Sequence, residues 1–175
     1  MSANLFTLKI LHLSWLLPDE DNDRCAHARF FVKIGNEVLC DISDAGYTAS
    51  AAAIHLMRTL DRDYTYNDFA GQLLPCCGHF MLDGGNMEYV IMMGCANGID
   101  WEVQHLPDKT VKLTTHTGHE ALVSFDSYKD QILALADAVE AFYDFSKPRI
   151  LPEDEDDRNG YLAMWNEWRL LRSKW

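Results

Sequence analysis

Two thiols and an imidazole fall close together in Cys76-Cys77-Gly78-His79, between the apolar flanks Leu73-Leu74-Pro75 and Phe80. A thiolate can be activated by a neighbouring imidazole, and a turn can expose it, so the segment offers material for nucleophilic chemistry. The known local signatures of cysteine proteases are missing, as is Cys-x-x-Cys. The plainer reading is an apolar turn holding a packed thiol and a hydrogen-bonded histidine. Zinc would need four ligands converging tetrahedrally, usually from two spaced pairs, and adjacent Cys76 and Cys77 do not offer that spacing. Distant ligands such as Cys95, His105, His116 or His119 would have to complete the site.

His105, His116 and His119 lie on a run of strand-like segments, where histidines near strand ends can serve metals or proton transfer. In Asp100-Trp101-Glu102-Val103-Gln104-His105, alternation puts Trp101, Val103 and His105 on one face, which reads as core with His105 at its margin. Asp19, Asp21 and Asp23 imitate the start of a calcium loop. Arg24, however, stands where glycine is needed and Phe30 where a bidentate glutamate is needed. No Gly-x-Ser-x-Gly elbow, phosphate-cradling glycine loop or His-Glu-x-x-His occurs. From these residues we expect no metal, no cofactor and no catalytic group, with an enzyme or metal protein built on Cys76, Cys77 and His79 as the alternative.

The charge is more informative. The chain has 175 residues and a net charge of -12, with 15 Lys plus Arg against 27 Asp plus Glu, so a basic face for nucleic acid is not expected. The acids concentrate in two runs, Asp19-Glu20-Asp21-Asn22-Asp23 and Glu153-Asp154-Glu155-Asp156-Asp157. Such runs can be solvated loops, or patches that steer a basic partner onto the surface. Five cysteines, Cys25, Cys40, Cys76, Cys77 and Cys95, are an odd and scattered set, read as free thiols. No stretch is apolar enough to span a bilayer, and Met1-Ser2-Ala3-Asn4 does not read as a secretory leader, so a cytoplasmic location is expected.

These residues need a scaffold, and the pattern predicts an α+β one in a single domain over residues 1–175. It comprises a mainly antiparallel sheet of about six to seven strands with three helices, as β-hairpins, a helix, a β-meander and two C-terminal helices. A strand over Leu5–Leu13 precedes a hairpin of Arg29–Ile34 and Val38–Ile42 around Gly35-Asn36. Thr48 is the expected N-cap of a helix from Ala49 to about Asp63, with Ala53, Ile54, Met57 and Leu60 on its apolar face. Gly84-Gly85, Asn97-Gly98, Pro107-Asp108 and Gly118 then punctuate about four consecutive strands, with Asn97-Gly98 the strongest hairpin signal.

Ser127 and Asp130 read as a capping box opening a helix with Tyr128, Ile132, Leu135, Val139 and Phe142 along one stripe, ended by Pro148. The last helix should start after Pro152, with acids at its positive end, Arg169, Arg172 and Lys174 at its negative end, and Tyr161, Trp165 and Trp168 on one face. That aromatic stripe either packs on the sheet or meets a partner.

The segment from Gly98-Ile-Asp-Trp-Glu-Val to Phe125-x-x-Tyr128-x-x-x-Ile132 resembles the compact immunity proteins of bacterial toxin systems. The resemblance extends to the tail Val139-Glu140-x-Phe142-Tyr143-x-x-Ser146-x-Pro148-Arg149 and covers about the last half of the chain. It implies a non-catalytic inhibitor that binds a cognate toxin directly, and an acidic surface would suit a basic toxin. The expected contacts are Asp19, Glu20, Asp21, Asp23, Glu153, Asp154, Glu155, Asp156, Asp157, Trp165 and Trp168, with self-association as a further possibility.

Overall fold

Alternation in the sequence becomes alternation in burial along the first strands. In β2 (His27–Ile34), Phe30, Val32 and Ile34 point into the core while Arg29, Phe31 and Lys33 face outward. It pairs antiparallel with β1 (Phe6–Ser14), with a register shift between Ile10 and His12, and with β3 (Glu37–Cys40) across the Gly35-Asn36 turn. Gly35 has φ +59°, the left-handed region that this tight turn requires. A short β4 (Tyr47–Thr48) also pairs with β2. The computed structural model describes residues 5–17, 21–66, 71–77, 80–94 and 96–175.

The helix α1 (Ala49–Arg58) is buried from Ala49 to Met57, not along one face only. Two of its expected features differ. Thr48 stands at the N-cap but its hydroxyl makes no capping bond. The Ala26 carbonyl instead accepts from Ala49 N (2.7 Å) and Ser50 N (3.3 Å), so a neighbouring backbone satisfies the first-turn amides. The helix also stops at Arg58, short of Asp63, because Thr59, Leu60 and Asp61 wind tighter and donate to the carbonyls three residues back. The Thr59 hydroxyl donates to Leu56 O (2.7 Å) and lies 2.7 Å from the buried Tyr128 hydroxyl.

The second half forms two further sheets. β5 (Phe80–Asp83) pairs with β6 (Val90–Met93), while β7 (Glu102–His105), β8 (Thr110–Thr114) and β9 (Glu120–Ser124) form a three-stranded antiparallel meander. The fold is α+β, with nine short strands among the described residues distributed over three sheets rather than one. Asn97-Gly98 explains the division. Neither residue takes positive φ, and no β6–β7 hairpin forms. Gly98 N donates to Gln72 Oε1 (2.9 Å), Ile99 and Leu74 exchange both backbone bonds, and an added Cβ at 98 would overlap Gln72 and the Leu74 carbonyl. The glycine serves a close crossing of chains, not a turn.

Two long helices close the core. α2 (Phe125–Phe145) buries Tyr128, Ile132, Leu135 and Val139 of the expected stripe together with Ala136, while Phe142 at the end of the stripe is half-buried. Its cap lies three residues earlier than the capping box at Ser127: Ser124 Oγ accepts from Ser127 N at 3.2 Å. α3 (Glu155–Arg172) starts at the N-cap Asp154, which accepts from Asp157 N at 3.1 Å. Among the described residues no helix is long and apolar enough to cross a membrane.

The free edges of two sheets are occupied by side chains. The Gln131 amide accepts from Leu8 N (2.9 Å) and donates to Phe6 O (3.2 Å), as a neighbouring strand would along β1. On β6, Val90 N donates to Glu167 Oε2 (2.8 Å) and Val90 O accepts from Arg58 Nη2 (2.6 Å). Arg58 and Glu167 are themselves joined by two contacts of 2.7 Å. An exposed edge invites pairing with another chain, and these groups cover it.

Candidate partner-binding surface

Asp21 and Asp23 of the first acidic run are bonded to the segment that leads into the second. Asp23 Oδ2 accepts from Leu16 N (2.7 Å) and Leu17 N (3.2 Å), so this carboxylate turns the chain leaving β1. Asp21 O accepts from Ile150 N at 2.8 Å, and the Asp21 carboxylate lies 3.8 Å from Arg149. Arg149 stacks over the Trp15 ring at 4.2 Å and donates to Asp23 O at 3.5 Å. Segments 15–17, 21–24 and 145–151 are thereby bonded to one another. Residue 151 leads directly into the second run, where Asp154 caps α3 and Glu155, Asp156 and Asp157 fill its first turn. Their charge complements the helix dipole, and Arg158 binds the Pro152 and Glu153 carbonyls. Asp19 and Glu20 lie outside the described residues.

An aromatic ladder lies beneath this junction. Trp15 contacts Phe142 (4.9 Å) and Tyr143 (5.0 Å, edge-on), Tyr143 contacts Trp165 (4.9 Å, edge-on), and Trp165 contacts Trp168 (5.5 Å). The Tyr143 hydroxyl donates to Arg24 O (2.6 Å) and accepts from Ala26 N (3.2 Å); burial holds its pKa well above the usual phenol value. Trp168 is 1% exposed and belongs to the core, which takes it off any surface a partner could reach in this conformation. Trp165 is half-buried and lines a cleft of about 320 Å³ between α2 and α3, beside Glu140, Asp144 and Arg169.

Above the ladder, apolar side chains face solvent. Phe145 is 93% exposed and Leu16 66%, and Leu17, Ile150 and Leu151 are about half exposed. All five stand on the mutually bonded segments, next to Asp21, Asp23, Asp144 and Glu153. The sequence reading missed them. Phe145 was detectable, because it falls outside the stripe running from Tyr128 to Phe142.

Comparisons with protein-family models, with curated proteins and with solved structures give no match.

The other candidate groups are dispersed. Cys76 and Cys77 are half-buried with their sulfurs 3.8 Å apart, while His79 and Cys95 lie outside the described residues. His105 Nε2 is 2.8 Å from Thr59 O, His116 stacks on Tyr66 at 3.7 Å, and His119 Nδ1 lies 3.0 Å from Thr117 Oγ1 and 3.1 Å from Glu37. Hydrogen bonds from Thr115 and Thr117 lower the Glu37 pKa. Among the described residues no group of three or more His, Cys, Asp or Glu is placed to hold a metal ion. Burial raises the Cys25 and Cys40 thiols to about 12, so neither is a ready thiolate at neutral pH.

Asp100 is a further buried carboxyl held by hydrogen bonds. It accepts from Tyr64 OH (2.7 Å), Leu73 N (3.2 Å) and Trp101 N (3.1 Å), tying three segments together. Desolvation nevertheless raises its pKa to about 6, because three donors do not fully replace water around the charge.

Proposed function

We propose that this protein is a non-catalytic recognition module that binds a basic protein partner through the acidic, apolar-centred junction, in the manner of a cytoplasmic immunity protein neutralising a toxin. The observation that carries this reading is the exposure of Phe145, Leu16, Leu17, Ile150 and Leu151 on segments bonded to one another and bordered by carboxylates. Exposed apolar residues cost solubility, and a group of them beside polar residues marks a contact surface. Apolar side chains at the centre supply affinity once desolvated, while rim charges speed encounter and select the sign of the partner. The residues that carry the resemblance to immunity proteins also support it, since Phe142, Tyr143, Ser146 and Arg149 all contact this junction.

The reading is tested by tagging the full chain in its host and comparing what co-elutes at low and high salt, for the natural sequence and two variants. A stoichiometric basic protein should be retained at low salt and lost at high salt. Phe145→Ala should weaken its binding roughly ten-fold, the cost of truncating one anchor of about 1.4 kcal/mol. Charge reversal of Glu153, Glu155 and Asp156 to lysine should slow association and remove the salt dependence. Binding unchanged in both variants would refute this use of the surface.

A further inference from the structure

Two neighbouring thiols are turned towards each other at Cys76 and Cys77. The chain just before them is pinned. Leu74 and Ile99 exchange both backbone bonds (3.0 and 2.9 Å), and the Pro75 carbonyl accepts from Thr48 N at 2.8 Å, beside the start of α1. Had the chain continued as a straight strand, Cys76 and Cys77 would point to opposite sides. It bends at Cys76 instead, and the two sulfurs lie 3.8 Å apart. Both residues are half-buried, which leaves each partly open to solvent, whereas Cys25 is 3% exposed and Cys40 2%.

We propose that Cys76 and Cys77 form a reversible modification site, a vicinal dithiol that a small-molecule disulfide of the glutathione class oxidises to a disulfide between the two neighbours. One thiolate attacks a sulfur of the oxidised reagent, forming a mixed disulfide and expelling one reduced thiolate. The second thiolate then attacks the protein sulfur of that mixed disulfide, which closes the Cys76–Cys77 bond and expels the other. Two thiol hydrogens leave the protein: their protons go to the two departing thiolates, and their electrons reduce the reagent's disulfide. The closing step is intramolecular. From 3.8 Å the sulfurs need to approach by only about 1.8 Å to reach bonding distance. An accessible thiol with a resolving thiol at hand is the arrangement that makes a cysteine redox-responsive.

Adjacency also sets how firmly the bond is held. Consecutive Cα atoms are about 3.8 Å apart across a trans peptide, below the ~4.4 to ~6.8 Å that disulfides ordinarily span. The ring so closed includes the intervening peptide unit and is strained, and strained disulfides are the readily reduced ones. In a reducing compartment the pair therefore rests as the dithiol and closes only while oxidant is in excess, the behaviour of a sensor rather than of a structural staple. Cys76 and Cys77 belong neither to the acidic runs nor to the exposed apolar group, so the inference does not rest on the partner-binding reading.

The full chain, first reduced and then freed of reductant, is incubated with oxidised glutathione at mildly alkaline pH and followed by intact mass spectrometry with a non-reducing peptide map. The expected product has lost two hydrogen atoms, with Cys76 and Cys77 bridged within one peptide and no glutathione on either. Excess reduced glutathione should restore the dithiol. Cys76→Ser and Cys77→Ser, shown to be folded by unchanged circular dichroism, should each stop at the mixed disulfide, with one glutathione on the remaining thiol of the pair. The proposal is overturned by a natural chain that stops at that adduct or does not react at Cys76 and Cys77. It is equally overturned by a bridge from either residue to Cys95 or to another chain, or by a Cys76–Cys77 bridge that survives excess reduced glutathione.

Discussion

Replacing Glu167 tests whether side chains close the β6 edge. Glu167 is 9% exposed and Arg58 20%, the two are joined by paired 2.7 Å contacts, and together they serve both polar groups of Val90. Glu167→Ala leaves a largely buried guanidinium uncompensated and orphans Val90 N–H, an expected loss of about 3 to 5 kcal/mol. The decisive variant is Arg58→Met with Glu167→Leu. For an ion pair that served only itself, apolar replacement of both partners would be close to neutral, because the desolvation cost disappears with the attraction. Here Val90 N–H and C=O each lose their partner as well, at about 1 to 3 kcal/mol apiece. The double variant should therefore remain roughly 2 to 6 kcal/mol less stable than the natural sequence. Urea unfolding at neutral pH measures both, with the slope confirming that the transition stays two-state. A double variant within about 0.5 kcal/mol of the parent would refute the edge-closing role.

Gly160→Ala gains about 1 kcal/mol of helix propensity yet should lower the melting temperature, because the methyl overlaps the Met81 carbonyl and must push the hairpin off α3. Asp100→Asn should flatten the pH dependence of stability. The folded-state pKa is raised from 3.8 to about 6, so the stability that Asp100 contributes is complete below about pH 4 and is lost as pH rises through about 6. That amounts to roughly 2 to 3 kcal/mol, measured by urea unfolding across the range. In thiol labelling read by mass spectrometry at mildly alkaline pH, Cys76 and Cys77 should react well before Cys25 and Cys40, whose thiols burial holds near 12.

Local patterns specified the elements better than they specified pairing. The α2 stripe and the start of α3 were legible because helical periodicity and capping act within a few residues of one another. The hairpin at Gly35 was legible for the same reason. Asn97-Gly98 was misread because its glycine answers to Leu74 and Gln72, some twenty-five positions away, and no local rule reports a distant carbonyl. Thr48 failed as a cap on similar grounds: the Ala26 carbonyl, delivered by the sheet, reached the amides first.

The surface followed the same division. Its charge was visible in the acidic runs, although part of it proved structural: Asp23 and Asp154 spend their carboxylates on backbone amides and Asp21 faces Arg149. The apolar centre was not visible, because a leucine after a strand reads the same whether buried or exposed. What exposes Leu16 and Leu17 is the turn held by Asp23, and what brings Phe145 beside them is the hydrogen bond of 3.1 Å from Trp15 Nε1 to Ser146 Oγ, 131 positions apart in sequence. Under the proposed function Asp23 would count twice, as charge and as the brace that holds the turn bearing Leu16 and Leu17. Asp23→Asn, which keeps an acceptor for the Leu16 and Leu17 amides while removing the charge, should cost less partner affinity than Asp23→Ala, which removes both.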